Sequence, residues 1–338
     1  MLIKTISVLS NFEHMKNLFL WLVLSSFFSS CNVYSIYVKK QAEVFEEAGM
    51  KQFQQSSDRP NFISGETYIE FKTIYTTSPE RFDSKKKTLL LIHGYQGGAI
   101  AQWSPNVEEL SKHFNIIAPD LNCHGSTYFK SDYSIEMQVD LVNEMLQFNK
   151  EKWPNENLIV VGSSYGGLVG ARFAEKYSEK VSAYVSYDGL TGCFNKAFTD
   201  SIAVTLGAKD ALALLNPTTG KEVKKLTSLE KPIRIPSFIL NQVAEQHFAV
   251  QREHKIALLA YLNKYEAEFN AHRFKWSAPV YILWGRNDKI IPFQTAKCLK
   301  EVYQIPDSRF IVYENTGHVM NMQNPKAFNK WVIETFSN

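Results

Sequence analysis

The sequence is short of several features that would narrow its function at once. Its four cysteines (Cys31, Cys123, Cys193 and Cys298) show no CxxC spacing, so neither a zinc site nor a disulfide framework is signalled. It has almost no surplus of charge: 37 Lys and Arg stand against 34 Asp and Glu, a net +3. With no basic block either, nucleic-acid binding is not expected. No apolar run reaches the roughly 20 residues of a comfortable membrane-crossing helix, and no internal repeat or low-complexity tract appears. What remains is ordinary globular composition, 45% hydrophobic and 21% charged over 338 residues. At roughly 150 residues per domain, that length implies about two units, or one α/β unit with a large insertion.

The first thirty residues do not read as fold. Lys16 precedes the apolar run Leu18 to Leu24, followed by Ser25 to Ser30 (interrupted by Phe27 and Phe28) and then Cys31. A short positive region, an apolar stretch and a small-residue zone form a signal-peptide pattern over residues 1–30. Met15-Lys16-Asn17 reads like a natural start of such a signal. Phe28-Ser29-Ser30-Cys31 resembles a bacterial lipoprotein signal, which implies lipidation at Cys31 and an exported, membrane-anchored protein. Without lipidation, the same pattern implies a secreted or periplasmic one. Losing Cys31 to a lipid leaves three cysteines and room for at most one disulfide. Cys123 and Cys193, both in loops near the candidate site, are the pair to test, with free buried thiols the expected state. Residues 31–60 are polar and helix-tolerant and are expected to form a tether.

From Tyr68 to Tyr75 the pattern alternates with period two, as in a strand with one exposed face. Then come short apolar runs at Thr88–Ile92, Phe114–Ala118, Leu158–Val161, Val181–Ser186, Val280–Trp284 and Arg309–Tyr313. Runs of four to seven residues rich in β-branched and aromatic side chains read as strands buried on both faces of a parallel sheet. Helical spacing appears between them, at Ser134–Lys152 and at Pro325–Phe336, where proline suits a helix start. Strands alternating with helices predict a mostly parallel, doubly wound α/β sheet. About 90 residues between Asp188 and Val280 break that rhythm. We expect a core over 61–189 and 279–338, and a helical cap inserted at 190–278. The stretch from Gly189 to Pro279 carries 12 basic and 8 acidic residues, so the small positive excess sits in the cap. A solvated basic face is its expected meaning, with a mild preference for anionic partners as the alternative.

The chemistry concentrates in Gly162-Ser163-Ser164-Tyr165-Gly166-Gly167, directly after one strand-like run and before a helical stretch. Strand, sharp turn and helix around a G-x-S-x-G match make it a nucleophile elbow. Such a serine sits at a strained turn with its hydroxyl exposed, so the residues two before and two after must be small. Only Ser164 has glycine on both sides, which places Ser163 second. A serine hydroxyl is a poor nucleophile without a base. His318, just past the last strand-like run, is at the sheet edge where loops collect into a site. His93 in His93-Gly94-Tyr95 is expected to organise its loop, and His124 to line the pocket. The base in turn needs a carboxylate, and Asp288 after the penultimate strand fits. Asp188 is the alternative acid, with a plainer role as a strand-end carboxylate bonding backbone N–H groups.

Together these motifs resemble the α/β-hydrolase superfamily, with the chain order Ser164, Asp288, His318, over about residues 66–338. Pro119-Asp120-Leu121-Asn122-Cys123-His124-Gly125-Ser126 resembles the family's loop after the fourth strand. Cys123 stands there where relatives often carry glycine, which bears on that loop's conformation. The resemblance implies an oxyanion hole from the backbone N–H groups of Tyr95 and Tyr165. It implies a serine hydrolase of esterase or lipase type, cleaving a small-molecule carboxylic ester or thioester through an acyl-enzyme. The substrate would enter between core and cap, and neither a metal nor an organic cofactor is called for. A carbon–carbon bond (diketone) hydrolase or an amidase with the same triad is the runner-up. A non-catalytic small-molecule receptor on this fold is the reading from another class.

Overall fold

The short apolar runs form the central strands of one eight-stranded sheet. The computed structural model describes residues 32–60, 67–128, 132–148, 156–229 and 235–337. The signal peptide and the lipidation expected at Cys31 lie outside the described residues. The strands are β1 (Met50–Pro60), β2 (Thr67–Thr77), β3 (Thr88–Ile92), β4 (Asn115–Pro119), β5 (Leu158–Ser163), β6 (Val181–Tyr187), β7 (Val280–Gly285) and β8 (Phe310–Tyr313). Their order is β1-β2-β4-β3-β5-β6-β7-β8. The β1–β2 and β2–β4 pairs are antiparallel, and every pair from β4 to β8 is parallel.

Helices α1 (Val33–Glu47), α2 (Ala99–Leu110), α3 (Ile135–Phe148) and α4 (Tyr165–Lys176) precede or alternate with these strands. Six more lie between β6 and β7: α5 (Lys196–Thr205), α6 (Ala211–Leu215), α7 (Gly220–Thr227), α8 (Ser237–Val243), α9 (Arg252–Lys264) and α10 (Glu266–Ala271). This is the stretch expected as the cap, and its described residues hold helices and no strand. Helices α11 (Phe293–Val302), α12 (Met320–Gln323) and α13 (Pro325–Phe336) complete the chain. Leu89 and Leu91 of β3 pack with Trp103 of α2 and Phe328 of α13 on one sheet face. Leu90 and Ile92 pack with Val142 of α3 and Leu168 of α4 on the other. Period-two alternation thus fills two cores at once, as the doubly wound reading requires.

Two expectations are corrected. Within residues 31–60, read as a tether, Val33–Glu47 forms α1 and Met50–Pro60 forms β1, and both belong to the folded body. On α1, Val33, Gln41 and Phe45 are buried, and the Asn32 side chain caps the helix by accepting from Ser35 N–H at 3.0 Å. In β1 (MKQFQQSSDRP), glutamine and serine dominate, so no alternation betrays a strand. It is an edge strand, where a polar face discourages pairing with other chains. The second correction concerns the thiols: Cys193 is bonded to Cys298, not to Cys123, with Cα atoms 6.1 Å apart. Cys123 is free and buried. The loop opening the cap passes over α11, within the span that a disulfide bridges, whereas Cys123 is held inside the loop after β4.

The Cys193–Cys298 bond spans 105 residues and ties the first cap loop to a core helix. A loop of about that size implies stabilisation in the region of 2–5 kcal/mol on loop-closure grounds. Cys298→Ser should therefore lower the unfolding free energy in urea by that amount. An unchanged midpoint would show that the cap loop is held without the bond.

Candidate active site

The carboxyl ends of β5, β7 and β8 bring three predicted residues to one edge of the sheet. Ser164 follows β5 at the N-terminus of α4, with φ 52° and ψ −119°. That left-handed φ is costly for a non-glycine residue. It is sustained because the backbone around it is locked: Ser164 N–H donates to the Tyr187 carbonyl at 3.0 Å. Its own carbonyl accepts from Gly167 and Leu190 N–H groups, each at 2.9 Å. A Cβ at Gly162 would stand 2.3 Å from the Gly166 carbonyl oxygen, and one at Gly166 would stand 2.3 Å from the His93 carbonyl oxygen. Both glycines are thus required by close backbone approach.

Ser163 is turned the other way. It is buried, and its hydroxyl accepts from Gln102 Nε2 at 2.6 Å, while Gln102 Oε1 accepts from Gly94 N–H at 2.8 Å. Gln102 therefore ties the strand end to the His93-Gly94 turn. Sequence reasoning missed this residue, because nothing in its position on α2 announces the contact.

Asp288 and His318 meet as expected. His318 Nδ1 lies 2.7 Å from Asp288 Oδ2, and both side chains are buried. Asp288 Oδ1 accepts from the N–H groups of Ile290 and Ile291 at 2.8 and 2.9 Å, which fixes the carboxylate plane. With its proton held on Nδ1 by this carboxylate, the imidazole carries its lone pair on Nε2. The two loops are stitched together: Asn287 N–H donates to the Thr316 carbonyl at 2.9 Å. A Cβ at Gly285 would stand 2.2 Å from the Gly317 carbonyl oxygen.

Asp188 has the plainer role that the sequence allowed. Its Oδ1 accepts from Gly285 N–H at 2.8 Å, bracing the end of β7 from which the Asp288 loop departs. It is also close: one side-chain ligand atom each of Asp188, Asp288 and His318 lies within 4.8 Å of the others.

A cavity of about 750 Å³, counted with its open mouth, adjoins Ser164. Tyr95 and Tyr165 line it too. Neither of their backbone N–H groups donates to another group among the described residues. The remaining wall is mostly apolar and comes from the cap and from Ile290 and Ile291. The disulfide loop contributes through Gly192 and Phe194.

His93 is structural. Its Nδ1 meets the Gly94 carbonyl at 2.8 Å, and its Nε2 accepts from Leu121 N–H at 2.9 Å. The loop after β4 keeps its turn despite Cys123, which adopts φ 68° in the left-handed region that favours glycine. Asp120 holds that loop by accepting from Ala99 N–H at 2.7 Å and Ser126 N–H at 2.9 Å.

Burial holds His93 and His247 down at about 4, and His124 well below its ordinary value, so all three are neutral when folded. In the unfolded chain they take up protons near pH 6.5. Their contribution is thus fully present above pH 6.5 and is lost as pH falls toward 4. Asp120, raised by burial to about 6, acts with the opposite sign and offsets one of the three. Stability in urea should fall between pH 6.5 and 5 with a net slope of up to two protons, about 3 kcal/mol per pH unit. A flat profile would contradict this.

The sequence model of the alpha/beta hydrolase fold matches residues 87–325. A 2-hydroxy-6-oxononadienedioate/2-hydroxy-6-oxononatrienedioate hydrolase of Pseudomonas putida is 25% identical over 262 residues, 74% of this chain and 87% of that protein. Monoacylglycerol lipase ABHD6 of Rattus norvegicus is also 25% identical, covering 74% of this chain and 75% of its own. Among solved structures, a 2-hydroxy-6-oxo-6-phenylhexa-2,4-dienoate hydrolase from a Rhodococcus strain superposes with a TM-score of 0.64 at 18% identity, over 85% of this chain and all of that one. A membrane phospholipase A gives 0.63 at 18% identity, over 96% and 97%. The chain belongs to the α/β hydrolase fold family, and it is an enzyme of that type.

Proposed function

We propose that the chain is a serine hydrolase that cleaves a carboxylic ester or thioester of a lipophilic acid through an acyl-enzyme. The observation that carries this reading is the apolar cavity wall beside Ser164, with Leu190, Phe194, Leu215, Leu259, Leu262 and Phe269 among its members. Such a wall suits an acyl chain. It suits a dioate poorly, because a carboxylate at the far end of the acyl part would meet this wall, whose one lysine, Lys196, is already paired with Asp200.

In this reading Ser164 Oγ attacks the substrate carbonyl carbon as His318 Nε2 takes the hydroxyl proton. Asp288 holds Nδ1–H and stabilises the imidazolium. The N–H groups of Tyr95 and Tyr165 receive the oxyanion, where each such donor is worth on the order of a hundredfold in rate. Collapse expels the alcohol or thiol, which takes the proton from Nε2. Water then attacks the acyl-enzyme by the same route, releasing the acid and restoring Ser164. Residues 190–278 act as the cap over this site, and the substrate enters between cap and core.

The export reading fits the same picture. The Cys193–Cys298 disulfide would persist in an oxidising compartment. Cys31 would carry the lipid that holds the protein at a membrane.

Ser164→Ala should abolish fluorophosphonate labelling and turnover of medium-chain p-nitrophenyl esters, while Ser163→Ala keeps most of both. Asp288→Asn should lower kcat by roughly 10³–10⁴-fold, as expected when the base loses its orienting acid. Asp188→Asn should cost far less, and the reverse order would move the acid. A wild-type protein that neither labels nor turns over any acyl substrate would favour the receptor reading. Cys31→Ser in the full chain should shift the protein from the membrane to the soluble fraction. Equal fractionation of both would count against lipidation.

A further inference from the structure

Beside the cavity wall, where the loop after β4 meets the cap, lies a group of polar side chains that the proposed reaction does not use. Lys255, on α9, is 2% exposed and forms no ion pair among the described residues. Its Nζ makes one long hydrogen bond, 3.5 Å to the His247 carbonyl. Arg252, one turn earlier, donates to the carbonyls of Asn216 and Ala244. Facing Lys255 at electrostatic range are Cys123 and His124 from the loop, and His93 from the core. Among the described residues, no carboxylate is a charge partner of Lys255.

Two further atoms there lack partners. His124 Nδ1 meets the Asn122 carbonyl at 2.8 Å, which places the proton on Nδ1 and leaves Nε2 as a bare lone pair, buried and unpartnered. Tyr165 stacks on His124 with ring centroids 6.2 Å apart, and its hydroxyl is also buried without a partner. A buried ammonium, a hydroxyl and an imidazole lone pair, all under-used, are costly unless a ligand or water satisfies them. The histidines do not converge as metal ligands. Among the described residues, the one His, Cys, Asp and Glu group close enough to hold an ion is Asp188, Asp288 and His318.

We propose that this group is a binding site for an oxygen anion, a carboxylate or phosphate carried by the alcohol part of the substrate. Lys255 Nζ and the Tyr165 hydroxyl donate to the anion, and His124 Nε2 accepts from an O–H of the ligand or of a water held with it. The proposal rests on the hydrolase reading above. Tyr165 directly follows Ser164, and both line the cavity with Tyr95. One molecule can therefore lay its acyl chain along the apolar wall with its carbonyl at Ser164, and turn its anionic group past Tyr165 toward Lys255, which lies behind the lining residues. Burial, then the nearby Arg252 charge, holds Lys255 down at about 8, so the ammonium is still the main form at neutral pH. Cys123, pushed up to about 12 by burial, stays a neutral thiol and does not neutralise it.

The test compares esters that share an acyl chain, using the full chain. These are 1-dodecanoylglycerol, its 3-phosphate, and dodecanoyl lactate as the carboxylate arm. At least one anionic ester should show a kcat/KM about tenfold or more above the neutral one, as a charge-assisted bond would give. That ratio should fall toward one in Lys255→Met and survive in Lys255→Arg, with Lys255→Gln as the substitute should Met not fold. Inorganic phosphate or acetate should raise the melting temperature of wild type and not of Lys255→Met. A preference for the phosphate or the carboxylate arm alone supports the site and names its anion. Equal turnover of all three esters, or a ratio indifferent to Lys255, would mean that the place holds water only and overturns the proposal, while the hydrolase reading stands. No turnover of any ester together with no fluorophosphonate labelling defeats both.

Discussion

The site depends on how closely the backbone packs where β5 runs into α4. Gly162 and Gly166 let the strand, the helix and the His93 turn approach to distances that no Cβ permits. That contact sustains Ser164 at a positive φ, and four other features hang from it. Ser163 is turned to Gln102, α4 aims its N-terminus at the cavity, Tyr187 receives the Ser164 N–H, and Leu190 begins the cap from the Ser164 carbonyl. The cost of one unfavourable dihedral is about 1 kcal/mol or a little more, small beside the packing of the two cores it joins. Local strain at one serine is therefore tolerable only because the surrounding sheet is so fully buried on both faces.

The central strands and the elbow were legible because their constraint is local. A strand buried on both faces must be short and apolar, and a strained serine must have glycine two residues to either side. Pro325–Phe336 was readable for a similar reason, since proline marks a helix start. What stayed hidden was set by tertiary partners. Strand β1 has a glutamine- and serine-rich sequence, and only its pairing along β2 makes it a strand. Helix α1 buries a narrow stripe, too thin to stand out in a polar segment. The Cys193–Cys298 pair joins positions 105 residues apart, which no spacing rule reaches. Gln102 is functional only through what folds against it. Asp188 shows the middle case: the sequence offered two acids, and the Gly285 N–H bond gives one of them a bracing task.

Among the ties between the cap and the core, two are widely separated and differ in kind. On one side, the disulfide joins its first loop to α11, next to the helix-start that follows Asp288. On the other, α1 crosses from core to cap: Gln41 donates to Ser104 of α2, while Tyr34 N–H donates to Gln242 at 3.2 Å. Ser35 adds a hydroxyl contact to Gln246, also at 3.2 Å. Between these ties, the cavity wall is made by cap helices that meet the core largely through side chains. Both the depth of the cavity and the placing of Lys255 follow from how those helices sit.

Helix α1 also has a mechanical meaning. Its first turn holds the buried Val33, a ring contact from Tyr34 to His247 and two polar bonds to the cap, and its last turn is buried against Tyr75 at the sheet. A force applied at the amino end would load these cap contacts in sequence before it reached those at the sheet. The helix would peel from the cap like a zipper, with the sheet undisturbed beneath. Helix α1 is thus a joint whose two ends bear on different parts of the molecule, the cap at one and the sheet at the other.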